Sequence, residues 1–229
     1  MAFFTGTSDY IAEGRDDSEE HYFIQKCNTA GTRQWITAYK SSAGGIARNP
    51  KSNPFIDSSG NVYATLYSLT VGTWPNRIYY GCIVKHNSSG VVQDDFEYSA
   101  GTNEDQFVSC VVDSSGNIYI SARHRENDTS GQVRASIIKV NSSGTVQWQR
   151  EMYHSSHGVY PLHVILDADE NPIMTIEDRS TDGTHVQGLG ILKWNSSGTL
   201  QWNRKITSSS HEFSASVGRA VATPNGSIL

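Results

Sequence analysis

Two short segments alternate along this chain at one period, and that regularity narrows the architectures open to it more than any other feature. The first segment reads FIDSSGNVYAT (55–65), VVDSSGNIYIS (111–121), ILDADENPIMT (165–175) and a partial VATPNGSIL (221–229). Its anchors Asp57, Asp113, Asp167 and Thr223 are 56, 54 and 56 residues apart. The second reads FIQKCNTAGTRQW (23–35), IVKHNSSGVVQD (83–94), IIKVNSSGTVQW (137–148) and ILKWNSSGTLQW (191–202), anchored on Lys26, Lys85, Lys139 and Lys193 at spacings of 59, 54 and 54. Each segment is an apolar or β-branched run, a polar turn and a second such run, which is the pattern of a hairpin. Asp or Asn opens the turn by bonding the backbone ahead of it, and Gly supplies a positive φ.

Two hairpins per period make four strands, expected in one unit at about 107–113, 117–123, 135–141 and 145–151. A four-stranded unit cannot bury both faces alone. Stacking such units radially hides the faces and leaves only short protected edges, so the expected fold is an all-β propeller of four-stranded antiparallel blades. About four blades fit the chain as one domain, with units near 1–48 joined by 214–229, then 49–106, 107–159 and 160–213. A closed ring clasped by strand 214–222, half of a dimeric ring, and part of a longer propeller all remain open.

The second hairpin resembles the blade motif of quinoprotein propellers, in which Trp follows the turn Gly by four residues: Gly31 with Trp35, Gly144 with Trp148, Gly198 with Trp202. The first hairpin resembles the SBBP-type repeats of bacterial and phage propellers. These resemblances imply a blade-docking role for Trp35, Trp148 and Trp202, and no chemistry. Asp94 stands where the second unit should carry Trp. No cofactor is expected.

The hairpin turns are short and alike, whereas the connections 8–20, 68–77, 124–134 and 178–188, and 38–50, 97–106, 152–160 and 207–213, are longer and dissimilar. Alternating strands put both variable sets on one rim, the expected binding face. Its candidate ligand-binding residues are Trp74, Arg77, Arg123, His124, Arg125, Arg179 and His185, since an aromatic ring beside Arg makes a platform for a sugar or a protein side chain.

Several other motifs yield to plainer readings. His154-Ser-Ser-His157, with His163 nearby, lacks the Glu of a zinc-protease helix, so no metal site is expected. The stretch 167–178 places Asp167, Asp169, Asn171 and Asp178 as a calcium loop would, but Pro172 replaces its glycine and the repeat makes it a hairpin. Asn87, Asn141 and Asn195 satisfy the glycosylation pattern because the turn demands them, and Asn127 and Asn225 also match. The recurring strand Lys reads as a side chain whose stem packs and whose amine reaches a neighbour.

The net charge is -5 and the pI about 5.9, which disfavours nucleic acid as a partner. Mean hydropathy is -0.45, and no apolar run approaches membrane-spanning length. The three cysteines lack C-x-x-C spacing and read as reduced core residues. MAFFTGTSDY carries no basic and apolar signal pattern, so cytoplasmic synthesis is expected. No nucleophile elbow, Walker loop or zinc-protease helix occurs. The expectation is a non-enzymatic module presenting loops to a protein or glycan, with homo-oligomer or virion assembly considered. The alternative is a hydrolase or lyase acting at a central funnel.

Overall fold

The computed structural model describes residues 10–16, 21–39, 46–48, 54–71, 78–99, 101, 104–125, 132–179 and 186–206. Their regular structure is entirely β-strand. The first sheet orders β1 (Tyr10–Asp16), β2 (His21–Cys27) and β3 (Arg33–Tyr39). In the second, β4 (Ile46–Arg48) and β5 (Phe55–Ile56) both pair with β6 (Val62–Val71), followed by β7 (Ile78–His86) and β8 (Val92–Tyr98). The third orders β9 (Glu104–Val112), β10 (Ile118–Arg125), β11 (Val133–Val140) and β12 (Val146–Met152). The fourth orders β13 (Gly158–Leu166), β14 (Pro172–Arg179), β15 (Val186–Trp194) and β16 (Leu200–Ile206). Pairing within each sheet is antiparallel, and one parallel pair, Tyr79 with Glu104, joins the second sheet to the third.

The turns show why these strands end where they do. In all seven described hairpin turns the opening Asn or Asp closes the loop twice. Asn141, for example, accepts through its backbone carbonyl from the Gly144 amide at 2.9 Å, while its amide donates to the Thr145 carbonyl at 2.9 Å. Its side-chain Oδ1 also accepts from the Ser143 and Thr145 amides. Asn87 and Asn195 do the same. The turn glycines carry φ of 77 to 84°, a region that penalises a Cβ. Glu170 takes that position in the 165–175 hairpin at φ 58°, and its carboxylate accepts from the Ser114 amide and hydroxyl of the neighbouring turn at 2.8 Å each.

Turn-side ends of the third unit lie within one residue of expectation, but the opposite ends run longer. Strand β10 continues through Arg125 and β9 begins at Glu104. Side-chain alternation along these extensions therefore decides what faces inward.

The core lies between sheets. Ile24 and Tyr39 of the first pack on Val62, Ala64, Leu66, Cys82 and Val84 of the second. The opposite face of β6 and β7, through Tyr63 and Ile83, packs on Phe107, Ile118, Ile120 and Ile138 of the third. The other face of the third, Tyr119, Ala135 and Ile137, meets Val164, Met174 and Trp194 of the fourth. Every strand-period switch of face thus serves a different interface. Cys82 and Cys110 are buried, whereas Cys27 is only half-buried.

The tryptophans bridge sheets at the turn end. Trp35 donates Nε1–H to the Ser88 carbonyl at 3.0 Å and lies over Gly90, where an added Cβ would fall 2.5 Å from the ring. Trp148 donates likewise to the Ser196 carbonyl at 3.0 Å and lies over Gly198. At the junction where Asp94 replaces Trp, Phe96 approaches Gly144 instead, and a void of about 50 Å³ remains, lined by Lys85, Asp94, Asp95 and Gly144 among others. Trp202 holds Arg204 over its ring. Among the described residues nothing lies within 4 Å of a Cβ built on Gly31, so Trp202 does not stand on Gly31 as Trp35 stands on Gly90. Strand 214–222, the expected clasp, lies outside the described residues.

Candidate functional site

The rim ends of the third and fourth sheets carry a concentration of buried polar side chains: Glu104, Asp105, Gln106, His124, Ser136, Glu177 and Asp178. Polar groups this deep must find partners, and those they find define two arrangements and a cleft.

The first arrangement is a strut inside the third sheet. His124 Nδ1 lies 2.6 Å from Asp105 Oδ1, and its Nε2 lies 2.5 Å from Ser136 Oγ. Ser99 donates to the other Asp105 oxygen at 3.1 Å, and the Tyr98 ring meets the imidazole edge-on. An acid, an imidazole and a hydroxyl in this order form the geometry of a nucleophilic relay. Ser136 is 0% exposed, however, so no substrate carbon reaches its oxygen, and the chain acts as a polar cross-tie between strands. The expectation of His124 as a rim ligand is thereby corrected. Because β10 extends to Arg125, alternation turns His124 toward the second sheet, on the side of Ala122 and Ile120, rather than out to the rim.

The second arrangement gathers three of the expected residues. Arg123 and Arg179 place their guanidinium carbons 5.2 and 4.8 Å from the centre of the Tyr160 ring. Arg123 faces Glu104 Oε1 at 3.3 Å and Arg125 faces Glu104 Oε2 at 3.6 Å. Arg179 donates through Nε to Glu177 Oε2 at 2.6 Å. Burial holds the Arg123 guanidinium below its usual pKa; Glu104 opposes this, and the like charges of Arg125 and Arg179 add to it. The Nε atoms of Arg123 and Arg125 are buried without hydrogen-bond partners. Side-chain exposures of 13, 25 and 26% for Arg123, Arg125 and Arg179 leave part of each guanidinium accessible. Three cations face two carboxylates, so the set retains one positive charge around a half-buried aromatic ring.

Sequence reasoning missed Tyr160, Glu104 and Glu177. Alignment of the units placed Tyr160 in a connection, and the signal that could have found it is alternation carried three residues beyond each turn-anchored strand. Trp74, Arg77 and His185 lie outside the described residues, as do Asn127 and Asn225.

A cleft of about 210 Å³ opens between β12 and the fourth sheet, lined by Met152, Val159, Ile176, Leu192, Asp178 and Lys205 among others. Asp178 Oδ2 accepts from Lys205 at 2.6 Å. His157 Nδ1 lies 3.6 Å from Asp178 Oδ1, and His154 stacks on His157 at 4.5 Å. Asp167 and Asp178 sit at opposite ends of the β13–β14 hairpin, with Asp167 Oδ1 committed to its turn and Oδ2 to Lys193 at 2.5 Å. The stretch 167–178 is thus a hairpin rather than a calcium loop. The recurring Lys residues pack: Lys85 and Lys139 over Tyr63 and Tyr119, and Lys193 on Asp167. No helix among the described residues is long and apolar enough to cross a membrane.

No family model and no curated protein matches the chain. Solved structures do share its fold. A protein of unknown function from Dyadobacter fermentans aligns with a TM-score of 0.55 at 9% identity, over 99% of this chain and 74% of the other. A Hadza microbial sialidase aligns with a TM-score of 0.55 at 11% identity, over 90% of this chain and 45% of that one. An ulvan lyase from a new polysaccharide lyase family aligns with a TM-score of 0.51 at 8% identity, over 84% of this chain and 54% of that one. This chain therefore spans about half the length of the sialidase and the lyase. The comparisons lend nothing to a place in a virion, and they correct the expectation that the chain is not an enzyme. The fold is one that hosts glycan-cleaving chemistry, and catalytic groups drawn from separate strands leave no local motif to detect.

Proposed function

We propose that the chain is a carbohydrate-active protein, a hydrolase or lyase, that engages an acidic polysaccharide at the Arg123–Arg125–Arg179 cluster around Tyr160. The carrying observation is the convergence of two guanidiniums from two sheets, Arg123 and Arg179, on the Tyr160 ring, with Arg125 sharing Glu104 with Arg123 and positive charge in excess. Guanidinium forks match carboxylate or sulfate oxygens, and an aromatic face stacks on the C–H face of a pyranose. Glu104 and Glu177 hold the forks in place and stand beside the bound sugar as carboxylates. The resemblance to the sialidase and lyase folds supports this reading at the level of architecture.

The four sheets are read as successive blades of a propeller, with the rim cluster at the end opposite the hairpin turns. The gap at Gly31 favours an arc belonging to a larger ring, or half of a two-chain ring, over one closed by Trp202.

The test is digestion of polygalacturonate, ulvan and alginate against neutral xylan and galactan, read as new reducing ends and as ultraviolet-absorbing unsaturated product. Cleavage confined to the acidic polymers is expected. Arg179→Gln and Arg125→Gln should each lower kcat/KM by about 10- to 100-fold, the loss of one charge-assisted hydrogen bond. Absence of cleavage of every acidic polymer, or full activity in both variants, overturns the proposal.

A further inference from the structure

The strut of the third sheet has a vacated counterpart in the fourth. His124 pairs across its sheet with Asp105 and Arg134, and Ala122 with Ser136. Asp178, 54 residues on from His124, pairs with Val159 and Gly188, and Ile176 pairs with Gly190. The register therefore sets Asp178 where the imidazole is, Val159 where its carboxylate partner is, and Gly190 where its hydroxyl partner is. Exchange of His, Asp and Ser for Asp, Val and Gly removes the ring and both of its anchors. Val159, Asp178 and Gly190 are all walls of the 210 Å³ cleft, which is many times the ~10–15 Å³ that admits one water.

What remains in the cleft points to an occupant. Asp178 is 7% exposed, Lys205 occupies its Oδ2, and its Oδ1 is buried without a hydrogen bond, facing His157 Nδ1 at 3.6 Å, beyond bonding distance. A buried acceptor left unmet is costly, so the complementary ligand donates a hydrogen bond there. Met152, Val159, Ile176 and Leu192 present an apolar wall, and Tyr153, 73% exposed, stands at the mouth. Among the lining residues Lys205 and Arg204 already outweigh the one carboxylate, with His154 and His157 beside them. A cationic ligand would meet net positive charge, so the donor must be neutral.

We infer that this cleft is a subsite for one neutral pyranose ring, its C–H face on the apolar wall and one hydroxyl donating to Asp178 Oδ1. The inference rests on the carbohydrate reading above, and it places a second sugar contact on the face of the fourth sheet opposite Arg179, since adjacent strand residues alternate.

The test is titration of the isotope-labelled full chain with methyl xyloside, methyl galactoside, methyl rhamnoside and, as the cationic control, imidazole at pH 5.5. At least one glycoside should give saturable amide shifts centred on Val159, Gly190, Leu192 and Lys205, with imidazolium giving none. Asn203→Trp, on the exposed lining of the cleft, should abolish the shifts without disturbing the fold. Asp178→Asn should weaken them at least tenfold. Glycoside shifts elsewhere, shifts that survive Asn203→Trp, tighter binding by imidazolium than by any glycoside, or no shifts at all overturn the inference. The readout is separate from polymer cleavage. Shifts without cleavage leave the subsite standing and remove the enzyme reading, and cleavage without shifts removes the subsite alone.

Discussion

The four turns of the second hairpin type carry glycine at nearly the same φ but with different neighbours, which isolates what the sheet-bridging tryptophans contribute. Gly31 has φ 77° and nothing within reach of an added Cβ among the described residues. At Gly144, with φ 79°, the Cβ would meet Phe96 at 3.0 Å. At Gly198 and Gly90, with φ 81° and 84°, it would fall 2.8 and 2.5 Å from the Trp148 and Trp35 rings. Alanine at Gly31 bears the left-handed penalty of about 1–2 kcal/mol less about 0.4–1 from a stiffer unfolded chain, a net loss near ~1 kcal/mol. Alanine at Gly90 or Gly198 bears this and also displaces a rigid indole. That adds about 1–3 kcal/mol of overpacking and about 1 kcal/mol for the lost Nε1 hydrogen bond, a total of roughly 3–5 kcal/mol. Gly144→Ala should fall between, since Phe96 makes no such bond. Urea denaturation followed by circular dichroism measures the series, with m unchanged. Equal losses at Gly31, Gly198 and Gly90 would refute the reasoning. Either the indole docks contribute nothing, or a ring stands on Gly31 and the arc is closed.

Two further predictions concern buried histidines. His86 is fully buried under a stacked Trp35, and burial holds its imidazole at about 4 against an ordinary 6.5. Between these values the unfolded chain binds the proton and the folded chain does not. Stability from His86 is therefore whole above about pH 6.5 and falls as pH drops toward 4, by at most about 3 kcal/mol. Urea midpoints of His86→Leu should show a flatter dependence from pH 4 to 7 than the parent, and parallel profiles would exclude this origin. In the third sheet, His124→Leu removes the imidazole from Asp105 Oδ1 and leaves a buried carboxylate under-compensated, which should cost about 3–5 kcal/mol, whereas replacing Asp105, His124 and Ser136 together by Val, Leu and Ala should recover much of it. A triple variant no more stable than the single one counts against the strut.

The hairpins and their turns were legible because local chemistry sets them: Asp57, Asp113, Asn87, Asn141 and their kin close the turn with their own side chains, and Gly answers the φ that results. The recurrence of two hairpins per period likewise implied stacked four-stranded sheets before any contact was known. How far strands run past those anchors was not legible, because nothing local terminates them at the rim. That uncertainty of two or three residues decides whether a rim side chain sits in a loop or follows the alternation of its strand, and it is why His124 belongs to the interior and Tyr160 to the site. Tertiary structure alone set Arg123 and Arg179 on one ring, and it alone brought Phe96 onto Gly144 at the junction without a tryptophan. Each depends on which residues of different repeats meet across an interface, and pairing between sheets is a matter of packing that no single strand's sequence encodes.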